Sequence, residues 1–108
     1  MKTIKFHTKL VPLILSGEKT STWRLFDDKN LLQGDQIALQ EFGADTPFAK
    51  AKIVKVVNKT FNDLSFLDRA GHESYSNDEE MYRTYSGYYK TDVGPESQLK
   101  IIRFELIE

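Results

Sequence analysis

The chain contains no cysteine. Disulfides, thiolate metal centres and thiol nucleophiles are therefore excluded. Histidine is scarce as well. His7 and His72 stand too far apart to form a ligand pair at metal-binding spacing, so no metal or other cofactor is expected. Long apolar runs are missing. The longest, Leu10-Val11-Pro12-Leu13-Ile14-Leu15, falls far short of the roughly 20 residues that span a bilayer. Met1 to Lys5 begins an alternating segment and lacks the apolar centre of a signal peptide, so a cytoplasmic location is expected. An excess of one charge is also missing. Fifteen Lys and Arg stand against sixteen Asp and Glu, a formal net charge of −1. A protein that grips duplex along a groove is usually strongly basic. This balance argues against an extended duplex DNA footprint and for a small, local pocket. Repeats, low-complexity tracts and linkers are absent.

What is present is a foldable domain. Hydrophobic residues make up 40% of the 108, enough for a core, and the length fits a single domain over 1–108. Ile4, Phe6 and Thr8 alternate with Lys5, His7 and Lys9, which reads as a strand with one buried face. Leu10 to Ser16 reads as a short helix, with Pro12 tolerated in its first turn. Asp27-Asp28-Lys29-Asn30 and Gly34-Asp35 are turns, and Gln36 to Phe42 is a strand. Phe48 to Lys59 is a long strand, and Phe61 to Ala70 a helical turn with Leu64 and Leu67 on one face. A helix starts at Ser76 or Asn77 with acids in its first turn, and Tyr82 to Tyr89 pack it onto the rest. Gly94-Pro95 breaks the chain before a closing strand, Gln98 to Ile107. Strands dominate and no β-α-β alternation repeats. The fold class is α+β: a small, mostly antiparallel β-barrel with two or three short peripheral helices.

The most informative stretch is Gly17-Glu18-Lys19-Thr20-Ser21-Thr22-Trp23-Arg24. Gly17 closes the helix with a left-handed C-cap. Thr20 to Arg24 favours an extended strand, in which Thr20, Thr22 and Arg24 share one face and Ser21 and Trp23 the other. Lys19 sits at the corner and can swing toward the Thr22/Arg24 face. Two cations and two hydroxyls there make an anion-accepting pocket beside an aromatic.

Gly17, Lys19 and Arg24 stand as Gly-x-Lys-x-x-x-x-Arg after a short apolar helix. This pattern resembles the ASCH domain, a relative of the PUA RNA-binding domain. The likeness extends to the Gly34-Asp35 turn before Gln36 to Leu39 and to the Gly71-His72 step before an acidic helix. It implies a PUA-like barrel that binds RNA, a nucleotide or a modified nucleoside through Gly17, Lys19, Thr20, Thr22, Trp23 and Arg24. Some members of the family hydrolyse N4-acetylcytidine, and ribonuclease activity is described for others. Three functions follow: a binding domain for RNA or a nucleotide, a metal-independent amidohydrolase of N4-acylated cytidine, and a regulatory interaction module without catalysis.

A lysine beside Arg24 has its neutral form favoured by burial and like charge, and a neutral amine is a base or nucleophile. The plain alternative is an exposed lysine after a helix C-terminus. The resemblance gives Thr22 the hydroxyl that works with the lysine, against a strand threonine chosen for β propensity. Arg24 offers a donor fork to phosphate or closes the barrel as an ion pair with Glu41 or Glu105. The glutamate expected before the acidic helix falls on Ala70, which leaves Asp68 or Glu73 to supply the carboxylate. His72 reads as a surface loop residue and His7 as structural. Trp23 is either a stacking platform or core.

Overall fold

A computed structural model describes residues 1–27 and 29–107. Five strands form one sheet: β1 (Lys2–Phe6), β2 (Ser21–Arg24), β3 (Gln36–Glu41), β4 (Pro47–Thr60) and β5 (Gln98–Ile107). Their spatial order is β1-β3-β4-β5-β2. β1 runs parallel to β3, and the other three pairings are antiparallel. The sheet is thus mixed and open. This corrects the expected closed barrel, for closure needs β1 and β2 to pair, and they are instead its two edges. Among the described residues three α-helices accompany it: α1 (Val11–Ser16), α2 (Phe66–Arg69) and α3 (Asp78–Tyr89). No helix among the described residues is long and apolar enough to cross a membrane.

The two-residue period of β5 explains the layering. Leu99 and Ile101 point into one apolar cluster, with Trp23, Phe61, Met81 and Tyr85. Ile102 and Phe104 point into another, with Ile4, Phe6, Ile14 and Leu39. β5 therefore has core on both faces, which is why Ile101 and Ile102 stand side by side in its sequence. α1 inserts Ile14 into one cluster and α3 inserts Met81 and Tyr85 into the other. Each buried aliphatic or aromatic side chain contributes about 1.5–3 kcal/mol.

Some local expectations shift. β1 stops at Phe6, and Thr8–Leu10 forms a 3-10 turn leading into α1. The segment Phe61 to Ala70 is broken: a 3-10 turn over Phe61–Asp63, extended Leu64 and Ser65, then α2. Ser65 caps α2 in a reciprocal box with Asp68, so Leu64 and Leu67 no longer share a face. Leu64 packs inward and Leu67 is 74% exposed. In β4 the register slips between Ile53 and Lys55, a bulge that brings Val56, three positions on, into the same cluster as Ile53, while Val57 faces the other. Asn77 is the N-cap of α3, accepting from the Glu80 amide at 2.8 Å. Asp27 does the work of a turn, accepting from the amides of Lys29 and Leu31; Asp28 lies outside the described residues.

Candidate functional site

The two sheet edges line one cavity of about 420 Å³. Lys5 and Phe6 come from β1, and Thr22, Trp23 and Arg24 from β2. The place where a barrel would close is a pocket, roofed by Tyr85, Tyr88 and Tyr89 of α3.

Lys19 reaches it through the end of α1. Gly17 takes φ +86° as the C-cap, and the Lys19 amide donates back to the Leu13 carbonyl at 3.0 Å. That tight reversal points the side chain inward, and Lys19 is 3% exposed. Its Nζ donates to the Ser21 carbonyl at 2.7 Å and to Glu73 Oε1. An ammonium has three protons, so this leaves one for a ligand. Burial pulls the lysine below its ordinary pKa, and the Glu73 carboxylate restores part of the loss by charge and hydrogen bond. Burial pushes the Glu73 carboxyl up, but its neighbours His72 and Lys19, the latter by charge and hydrogen bond, outweigh it and leave the group below its ordinary value.

Glu73 is delivered by a specific backbone junction. The Gly71 carbonyl accepts from the Thr20 amide at 2.9 Å and from the Ser21 amide at 3.2 Å. The loop carrying Glu73 is thus stitched to the start of β2, beside Lys19. Only glycine fits residue 71. Its φ is +76°, and a Cβ there would lie 2.1 Å from Thr20 Oγ1. Arg103 of β5 holds the same loop from below, donating to the carbonyls of Leu67 and Ala70.

His72 packs behind the pair, and its side chain is 1% exposed. Its ring stacks on Trp23 at 3.7 Å between centroids and 14° between planes. Nδ1 lies 3.1 Å from the Glu73 carbonyl, which can only accept, so Nδ1 carries the proton. Nε2 then accepts from the Tyr85 hydroxyl at 3.0 Å. Burial, with the Lys19 charge adding to it, lowers the His72 pKa to about 4, so the ring is neutral at neutral pH.

The expected site residues therefore part company. Lys19, Thr22, Trp23 and Arg24 line the cavity together with Glu73. Gly17 and Thr20 lie outside it, one shaping the turn and the other covering Gly71. Asp68 is held elsewhere, 2.5 Å from Lys59 Nζ and bonded to Ser65. Arg24 has neither Glu41 nor Glu105 as ion-pair partner, and its Nε is buried without a hydrogen bond among the described residues. Trp23 belongs to the core, 3% exposed between His72 and Phe61, with one edge on the cavity. Sequence reasoning missed the burial of His72 and the part of Tyr85. The signal for Tyr85 was present, since Met81, Tyr85 and Tyr89 recur at helical spacing.

Neither a family model nor a curated protein sequence matches the chain. Solved structures do. Protein EF3133 from Enterococcus faecalis V583, of family model DUF984, superposes at a TM-score of 0.74 with 21% identity, over 92% of this chain and 70% of that one. The ASCH domain from Lactobacillus crispatus superposes at 0.69 with 14% identity, over 97% and 79%. The ASCH protein of Zymomonas mobilis superposes at 0.66 with 16% identity, over 95% and 65%. The chain has the fold of ASCH domains.

Proposed function

We propose that the seam cavity binds the base and phosphate of one nucleotide or modified nucleoside. The observation that carries this is the buried Lys19–Glu73 pair on a cavity that also holds Thr22 and Arg24. Lys19 offers its remaining ammonium proton to a carbonyl or phosphate oxygen. Arg24 offers a guanidinium fork suited to phosphate. Apolar and aromatic walls with a few convergent polar groups are what a small-molecule site needs. Calorimetric titration with CMP tests it. Arg24→Ala is expected to weaken binding at least tenfold and leave thermal unfolding nearly unchanged. A large stability loss at unchanged affinity refutes the assignment.

A second reading is favoured by the carboxylate on Lys19: hydrolysis of an N4-acylated cytidine. Lys19 passes a proton to Glu73 and becomes an amine. It then takes the Thr22 proton as the hydroxyl oxygen bonds to the acyl carbon. The C–N bond breaks, and the cytosine amino group leaves with that proton. Water cleaves the acyl-threonine ester, freeing the carboxylic acid and restoring the hydroxyl. Hydrolysis of N4-acetylcytidine, with Lys19→Ala as control, tests this. Turnover that survives the substitution removes Lys19 from the mechanism.

A further inference from the structure

The mouth of the cavity carries a feature that one nucleotide does not use. His7, Phe42 and Tyr88 gather there from the end of β1, the β3–β4 turn and α3. The His7 ring lies 5.3 Å from Tyr88, 29° from parallel, and 5.2 Å from Phe42. The Phe42 amide donates to the Phe6 carbonyl at 3.0 Å, which fixes the turn against β1. This cluster is not core: Phe42 is 55% and Tyr88 45% exposed. His7 precedes a 3-10 turn, yet its side chain makes no capping bond. Three rings from three segments, held together in water beside a pocket, make a stacking platform.

The charge points the same way. On a chain of net charge −1, the cavity lining has, among the described residues, three cations, Lys5, Lys19 and Arg24, against one anion, Glu73. That anion is bound to Lys19. Lys5 and Arg24 remain to face a phosphate.

Resting on the nucleotide reading above, we propose that the mouth is a second subsite, in which Phe42, Tyr88 and His7 stack the neighbouring base of a single strand. Lys5 and Arg24 flank the phosphate joining the two bases. The ligand is then a dinucleotide step of single-stranded nucleic acid and not a free nucleoside.

The test is calorimetric titration of the whole chain with CMP, CpA, ApC and the deoxy form of the tighter dinucleotide. The better of CpA and ApC is expected to bind at least about tenfold tighter than CMP, the worth of one stacked base. Phe42→Ala and Tyr88→Leu, both at exposed positions, are each expected to remove most of that advantage. Equal binding of the deoxy form supports a site for any single strand, and weaker binding supports one for RNA. A wild type that binds both dinucleotides no tighter than CMP overturns the second subsite and leaves the first intact. So does an advantage that survives both substitutions. Binding of no ligand at all overturns both readings.

Discussion

Acidification from pH 6.5 to pH 5 should cost this protein much of its stability through one buried ring. His72 has a folded pKa of about 4, against 6.5 when free. Between those values the unfolded chain binds a proton that the folded chain refuses. Stability therefore rises with pH across that window and is lost as pH falls through it. One pH unit is worth about 1.4 kcal/mol, so the full window is worth roughly 3 kcal/mol and the step from 6.5 to 5 about 2. The ring's side chain is 1% exposed, which leaves little solvent to soften the penalty. The ordinary carboxylate range lies below the step from pH 6.5 to 5, and Asp27, Asp35, Asp68 and Glu73 are each held lower still. Urea unfolding at pH 6.5, 5.7 and 5 reads the slope. His72→Phe keeps a flat ring against Trp23 and removes the titrating group. It is expected to lose stability at pH 7, because the Tyr85 hydroxyl is left without its acceptor. Its stability should nevertheless be flat over the same pH range. A wild type equally stable at pH 6.5 and 5, or a variant with the same slope, refutes the reasoning.

Other substitutions separate fold from function. Glu73→Gln leaves Lys19 buried without its counter-charge and should cost about 2 kcal/mol, whereas Lys19→Met removes the buried ion and should cost under about 1 kcal/mol. The order of the two urea midpoints decides, and a Lys19→Met variant less stable than Glu73→Gln contradicts the account. The deficit of Glu73→Gln should shrink as pH rises toward 10.5, because a lysine held below its free pKa favours folding as it loses its proton. Gly71→Ala should cost about 2–3 kcal/mol, part from its positive φ and part from Thr20. Adding Thr20→Ala should recover about 1 kcal/mol, and an additive double mutant shows that the hydroxyl is no obstacle. Lys59→Met should lower stability by about 1 kcal/mol without changing CMP affinity, since the Lys59–Asp68 pair braces α2 away from the cavity. A change in that affinity shows that the two regions are coupled.

Local rules made much of this legible. The strand over Gln98–Ile107 and the glycine reversal at Gly17 follow from residue period and backbone freedom alone. Lys19, Thr22 and Arg24 were singled out by their place after that reversal. Three features were not legible, each because it depends on contacts distant in sequence. Closure of a barrel turns on whether β1 meets β2, and neither strand carries a sign of it. The histidine at 72 reads as loop surface until Trp23, some fifty positions earlier, is laid against its ring. The carboxylate lay between Asp68 and Glu73 until Lys59 claimed one and Lys19 the other.

The Gly71 junction shows why fold and site cannot be separated here. β2 is an edge strand of four residues, with β5 on one side only. An edge strand leaves amides unpaired on its open side, and a covering loop is one way to satisfy them. The Gly71 carbonyl takes the amide of Ser21, the first residue of β2, and that of Thr20 just before it. The same bonds set the next two residues, so His72 falls on Trp23 and Glu73 on Lys19. A side chain at 71 would meet Thr20 and push the loop outward. The loss would then be double: an uncovered edge, and a buried lysine without its carboxylate. That couples the stability of β2 to the charge state of the pocket, and makes residue 71 a determinant of the site that never touches a ligand.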